Sequence, residues 1–267
     1  MSYPEELDGL RYEKDVAGKT GYVIFDRPPM NVLSYPARAQ IAKLIAAMDE
    51  DDEIRVIVIR GANALYSSGG DIAGFLKVPR DGMHDLAWNV AAPERAKKPV
   101  IAAIEKYAMG VAFELALACD FRLVTESSQL ALPEINLGIT PGSGGTVRIA
   151  HLAGLTRAKE MIMRGRRISA REAFEWGLIT EVVPDGKLDE AIARWANDLA
   201  SRPVVPLTAQ PPPSDSVSPF GFPLPPALYF TTVVWVHPES VTTSVPDSSD
   251  ESANVAGRGF ASTSLSV

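Results

Sequence analysis

One cysteine, Cys119, is all the thiol chemistry that the 267-residue chain contains. A single thiol closes no intrachain disulfide and builds no cysteine-based metal site, and its apolar setting marks it as a buried, inert residue. Positive charge is also in short supply: 26 Lys and Arg face 33 Asp and Glu, for a formal net charge of -7. Nucleic acid and anionic membrane surfaces both require clustered cations. Neither is an expected partner, and any anionic ligand has to be held by local groups. No apolar run approaches the roughly 18 to 20 residues needed to span a bilayer, since even the stretch 107–119 is short and contains Glu114. The acidic stretch 1–12 shows neither a basic leader nor the apolar core of a signal peptide, so a cytoplasmic address is the expectation.

What is present is a composition 46% hydrophobic, enough for one large core. Three nearly continuous apolar runs, 21–25, 56–59 and 100–104, suit strands covered on both faces. Between the first two, Ile41, Leu44, Ile45 and Met48 recur at helical spacing, which predicts an amphipathic helix over 36–50 with its charged residues turned elsewhere. Further on, 109–119 reads as a buried helix and 121–124 as a strand. A helix over 169–176 follows, with Ser169 and Glu172 as a capping box and Gly177 as its stop. The expected class is α/β. The composition then changes near Pro203: eleven of the 21 prolines, no lysine and one arginine fall in 203–267. Two regions are therefore expected, a folded body over 1–202 and an irregular tail over 203–267. An alternative for the tail is that its apolar patch, 227–236, docks on the body.

Three segments carry chemistry. In 107–119, Glu114 stands alone among apolar side chains just after Gly110. A buried carboxylate either finds partners or raises its pKa, and a raised pKa suits a general acid or base near neutrality. An ion pair with Arg122 is the competing structural reading, and the segment alone leaves both open. A helix starting at Gly110 would also present free N–H groups to developing negative charge. In the second segment, Pro133 ends a short strand and puts Glu134 on a loop, followed by glycines that allow close backbone approach to a ligand. The third, 66–72, is a glycine turn that either is capped by Asp71 or cradles an oxyanion with its amides.

Taken in order, Ser67-Ser-Gly-Gly-Asp-Ile72, the run 107–116, and Pro133-Glu134 through Gly142-Ser-Gly-Gly-Thr146 resemble three motifs of the enoyl-CoA hydratase/isomerase (crotonase) family. The loop 26–33 is similar to its early CoA-contacting loop, and 168–178 to the helix before its last strand. The resemblance runs from about Tyr12 to Arg202. It implies a spiral of ββα units with flanking helices, assembled as homotrimers or hexamers. It also implies an acyl-CoA thioester substrate, the coenzyme A being part of the substrate, with no separate cofactor and no metal. By this resemblance the backbone N–H groups of Gly70 and Val111 form the oxyanion hole, and Glu114 and Glu134 add water across a 2-enoyl-CoA. Arg27, Asn31, Ser68, Gly70, Asp71, Ile72, Gly110, Pro141 and Gly142 would contact the substrate. An isomerase or hydrolase on the same fold, or a non-catalytic binding protein, are the alternatives. Two departures stand out: Gly110-Val111-Ala112 replaces a glycine run and Lys106 a common glycine, and nothing after Pro203 matches the helices with which family members close.

The proline-dense composition of the tail generates a first prediction. Limited proteolysis should leave a stable core ending near Arg202, and a tail as resistant as the core would contradict the expected boundary.

Overall fold

In the computed structural model, residues 2–75 and 85–203 are described. The chain begins with β1 (Leu10–Asp15) and β2 (Thr20–Phe25), followed by α1 (Tyr35–Glu50), β3 (Val56–Gly61) and three short helices, α2 (Ile72–Phe75), α3 (Asp85–Val90) and α4 (Ala92–Arg95). Next come β4 (Val100–Ile104), β5 (Tyr107–Met109), α5 (Val111–Ala118), β6 (Phe121–Thr125), β7 (Gln129–Ala131) and a 3-10 turn, Glu134–Leu137. The body closes with α6 (Gly145–Ala153), α7 (Leu155–Arg164), β8 (Ile168–Ser169), α8 (Ala170–Glu175), β9 (Glu181–Val183) and α9 (Leu188–Ser201). The tail over 203–267 lies, Pro203 apart, outside the described residues.

Six strands form the main sheet in the order β1-β2-β3-β4-β6-β9. Only β1 and β2 pair antiparallel. A second row runs β5-β7-β8, and isolated bridges Ser67↔Ala108 and Leu33↔Gly70 extend it. The repeat is thus a strand in the large sheet, a short extended segment in the second row, then a helix: β4, β5, α5 is the clearest case. This is the α/β ββα arrangement implied by the motifs.

Both faces of the parallel strands are covered, which is why they read as unbroken apolar runs. Val56 and Val58, with Ile101, Ala103 and Leu123, pack on Leu188, Ile192, Ala196 and Leu199 of α9. Their alternating neighbours Ile57 and Ile59 join Val100, Ala102 and Ile104 against α1 and α5. Ser34 caps α1 by accepting from the Ala37 N–H at 3.1 Å. Ser169 does the same for α8, accepting from Glu172 N at 3.1 Å. The reciprocal half of that expected capping box is missing, because the Glu172 carboxylate pairs with Arg166 instead.

The sequence reading needs correction around α5. Met109 belongs to β5 and the helix begins at Val111, because Gly110 takes φ +54, ψ -130 and turns the chain sharply between them. Glu134 likewise lies on a 3-10 turn rather than an open loop. Arg122 does not pair with Glu114. Its guanidinium instead donates to the carbonyls of Leu178 at 2.7 Å, Ala116 at 3.2 Å, Asp120 at 3.4 Å and Cys119. It thereby closes the C-terminal end of α5, where helix carbonyls lack intrahelical partners.

Replacing Arg122 with Met removes a donor from each of those carbonyls, of which Ala116 O keeps the Cys119 N–H at 3.2 Å, and a buried acceptor without a donor costs about 1–3 kcal/mol. Urea unfolding followed by tryptophan fluorescence should show Arg122→Met destabilised by about 2–4 kcal/mol. A change below about 0.5 kcal/mol, the range of an ordinary surface substitution, would contradict this role.

Candidate active site

Each ββα repeat delivers its chemistry at the junction between the second row and the following helix. The 67–70 segment runs beside β5 because Gly69, at φ +110, has no side chain; a Cβ there would lie 2.8 Å from the Met109 carbonyl oxygen. One repeat later, Gly110 turns β5 into α5. Its N–H donates to Ala131 O at 2.9 Å, and the next amide, Val111 N, opens the helix. Among the described residues, no backbone carbonyl accepts from Gly70 N or Val111 N. Both residues line the same cavity, of about 120 Å³.

Glu114 sits one turn into α5, only 2% exposed. Its Oε1 accepts two backbone N–H groups, from Ser143 and Gly145, each at 2.8 Å. The approach requires glycine: a Cβ on Gly145 would lie 2.9 Å from the same oxygen. Burial pushes the Glu114 pKa up, while the two amides, then Arg148 and Arg38, pull it back. Hydrogen bonds to the anion favour the ionised form.

Glu134 comes from the next repeat and reaches into the same cavity. A Cβ on Gly110 would be 3.0 Å from Glu134 Oε1, so the carboxyl lies over the start of α5. Its Oε2 is buried without a hydrogen-bond partner. Burial first, and the like charge of Glu114 second, push its pKa up to about 8. Both pKa values are thus raised, but the surroundings differ: Glu114 Oε1 has two amide donors, whereas Glu134 Oε2 has no hydrogen-bond partner.

Of the residues singled out from sequence, Ser68, Gly70, Ile72, Gly110, Val111, Glu114, Glu134 and Gly142 all line this cavity. Arg27, Asn31, Asp71 and Pro141 are not among its lining. Asn31 is 2% exposed and works as scaffold: Nδ2 donates to Ala62 O at 3.1 Å and Leu65 O at 2.6 Å, and Oδ1 accepts from Arg27 N at 3.0 Å. Arg27 pairs with Asp8 and lies 3.9 Å from Asp71. Asp71 accepts from Gly74 N at 3.2 Å, as a turn cap does.

The sequence reading missed Arg38, which lines the cavity from α1 and is 4% exposed. The available signal was its register, three residues before Ile41 and seven before Ile45, on the stripe predicted to face the core. The amides of Ser143 and Gly145 were also missed, although their glycine-rich segment was noted.

Comparison with known proteins agrees with this geometry. The family model described as enoyl-CoA hydratase/isomerase matches residues 17–209. A glyoxysomal fatty acid beta-oxidation multifunctional protein of Brassica napus is 38% identical over 182 residues, covering 66% of this chain and 25% of the relative. The peroxisomal bifunctional enzyme of Danio rerio is 37% identical over 210 residues, covering 76% of this chain and 28% of that protein. The chain thus spans about a quarter of the length of these relatives. A crystal structure of an enoyl-CoA hydratase from Bacillus anthracis superposes with a TM-score of 0.70 at 33% identity, covering 75% of this chain and 80% of that one. With its motifs in order, its ββα repeats in place and the family model matching well over half its length, the chain belongs to the enoyl-CoA hydratase/isomerase family.

Proposed function

We propose that the chain is a hydro-lyase that adds water across the double bond of a 2-enoyl-CoA. The observation that carries this reading is the pair of carboxyl groups, Glu114 and Glu134, lining one cavity together with the backbone amides of Gly70 and Val111, which no backbone carbonyl among the described residues engages. Hydration needs a base for the water oxygen and an acid for the α-carbon, both within reach of one substrate. In the reading, Gly70 N and Val111 N donate to the thioester oxygen as negative charge develops on it. Glu114 takes a proton from water as the oxygen bonds to the β-carbon. Glu134 gives its proton to the α-carbon. One proton moved from Glu114 to Glu134 then restores the starting state. An isomerase would use no water and would move a proton between two carbons of the same acyl chain.

Ser68 and Ile72 would flank the path of the pantetheine arm, and Arg27, Asn31, Asp71 and Pro141 would contact the coenzyme or shape the loops that do. No cofactor beyond the coenzyme A of the substrate enters the scheme. Homotrimeric or hexameric assembly belongs to the same proposal. Its support is the exposed apolar side chains Val147 and Leu152 on α6 and Leu155 and Met163 on α7, two helices packed on one another. Surface of that kind tends to mark an interface. No helix among the described residues is long and apolar enough to cross a membrane. The plain cytoplasmic address expected from the sequence fits poorly with relatives named for glyoxysomes and peroxisomes.

The test is steady-state hydration of crotonyl-CoA. Glu114→Gln keeps an oxygen to accept from Ser143 and Gly145 but cannot hold a proton, and Glu134→Gln likewise removes proton exchange. Each should lower the rate by about 10² to 10⁴, with coenzyme A binding little changed. The double variant should lose far less than the product of the single losses, since the two groups act as a unit. Near-normal hydration by either single variant would show the assignment to be wrong.

A further inference from the structure

Arg38 is the one cavity-lining residue that the hydration scheme leaves without work and that its surroundings do not satisfy. It interrupts the buried stripe of α1 that Ile41, Ile45 and Met48 continue. Although it is 4% exposed, its guanidinium makes no hydrogen bond or ion pair among the described residues, and Nε is fully enclosed. Nη2 lies against Gly70, where a Cβ would be 2.8 Å away. The Phe75 ring stands 5.3 Å from the guanidinium carbon. Burial opposes its charge, and Glu114 and Glu134 favour it from their positions around the same cavity, yet neither bonds to it.

A buried cation without a hydrogen-bonded counter-ion is unfavourable. A side chain serving only to fill space would be better replaced by an apolar one of the same size. The arrangement fits a site whose missing partner arrives with the ligand. Guanidinium also presents its two Nη groups side by side, a fork that takes both oxygens of a carboxylate. The thioester oxygen does not fill this role, because in the reading above it already has Gly70 N and Val111 N. A nucleotide phosphate does not either. Arg38 Nη2 lies against Gly70, at the thioester end of such a ligand, and the length of the pantetheine arm separates the phosphates from that end. Of the two carboxyl groups that an incoming carboxylate would face, Glu134 is pushed toward its neutral form, and Glu114 Oε1 is engaged by two amides.

We propose that Arg38 is a specificity-determining residue that binds a second carboxylate on the acyl chain, so that the substrate class is the mono-CoA thioester of a short, unsaturated dicarboxylic acid. The inference rests on the CoA-thioester reading given above and names the acyl group that reading leaves open.

Calorimetry with two saturated thioesters of equal chain length, glutaryl-CoA and pentanoyl-CoA, reads binding without turnover, since neither has a double bond to hydrate. The unaltered protein should bind glutaryl-CoA at least about tenfold more tightly. Removing one member of a buried, hydrogen-bonded charge pair typically weakens binding by about 30-fold or more. Arg38→Met should therefore lower glutaryl-CoA affinity by about 100-fold and shift pentanoyl-CoA much less. Arg38→Lys, which keeps the charge and loses the fork, should fall between. Thermal melts establish that the variants are folded, and the comparison of the two ligands on the unaltered protein needs no variant. Equal affinity for both thioesters, or equal loss of both in Arg38→Met, overturns the proposal and leaves the hydration reading standing. Binding of neither thioester overturns the CoA-thioester reading, and this inference falls with it.

Discussion

Two backbone amides, those of Ser143 and Gly145, hold one oxygen of a carboxylate inside an otherwise apolar helix. Much of the site follows from that contact. Glu114 is surrounded on α5 by Val111, Ala112, Phe113, Leu115 and Ala116, all buried, so the amides are the nearest groups able to stabilise its charge. To bring them there, the 142–145 segment must pass close to α5, which requires glycine at 145. With Glu114 fixed beside it, Glu134 is pushed toward its protonated form, by burial first and by the like charge of Glu114 second. The asymmetry between two chemically equivalent side chains is thus made by backbone geometry, one repeat of the fold acting on another.

The same economy explains how an acidic protein can host an anionic reaction centre. With a formal net charge of -7, it has no general attraction for a thioester enolate or a phosphate. In the proposed hydration, stabilisation comes from the oriented backbone N–H groups of Gly70 and Val111, which carry partial positive charge without adding a titratable residue. The one cation enclosed in the cavity wall, among the described residues, is Arg38 on α1. Its electrostatic influence reaches both carboxyl groups, so α1 contributes to the chemistry as well as to the core.

Much of this was legible in the sequence, for identifiable reasons. Strands buried on both faces show as uninterrupted apolar runs, and β4 was read to its exact limits, Val100–Ile104. Glu114 and Glu134 stood out because a lone carboxylate in an apolar segment, and another after Pro133 before a glycine-rich run, need explanation. What escaped the reading depended on backbone torsions or on long-range approach. The break between β5 and α5 comes from the positive φ of Gly110, and Lys106 adopts φ +64 at a position where the family pattern often has glycine. Arg122 looked like a partner for Glu114 because opposite charges in apolar segments invite pairing. It is consumed by four carbonyls at the far end of the helix. Arg38 was not singled out, because the charged residues of α1 were read as a group turned away from the apolar stripe, whereas its register places it in the cavity wall.

If burial and the charge of the neighbouring Glu114 act on Glu134 as described, Glu134 holds its proton at physiological pH. The direct measurement is a pH titration of the folded protein carrying ¹³C-labelled glutamate side chains, followed by carboxyl chemical shift, with Glu134→Gln used to assign the resonance. The account predicts a midpoint near 8 for Glu134, and a lower one in Glu114→Gln, where the neighbouring negative charge is gone. A Glu134 midpoint near the ordinary carboxylate value of 4.5, unmoved by the loss of Glu114, would contradict it.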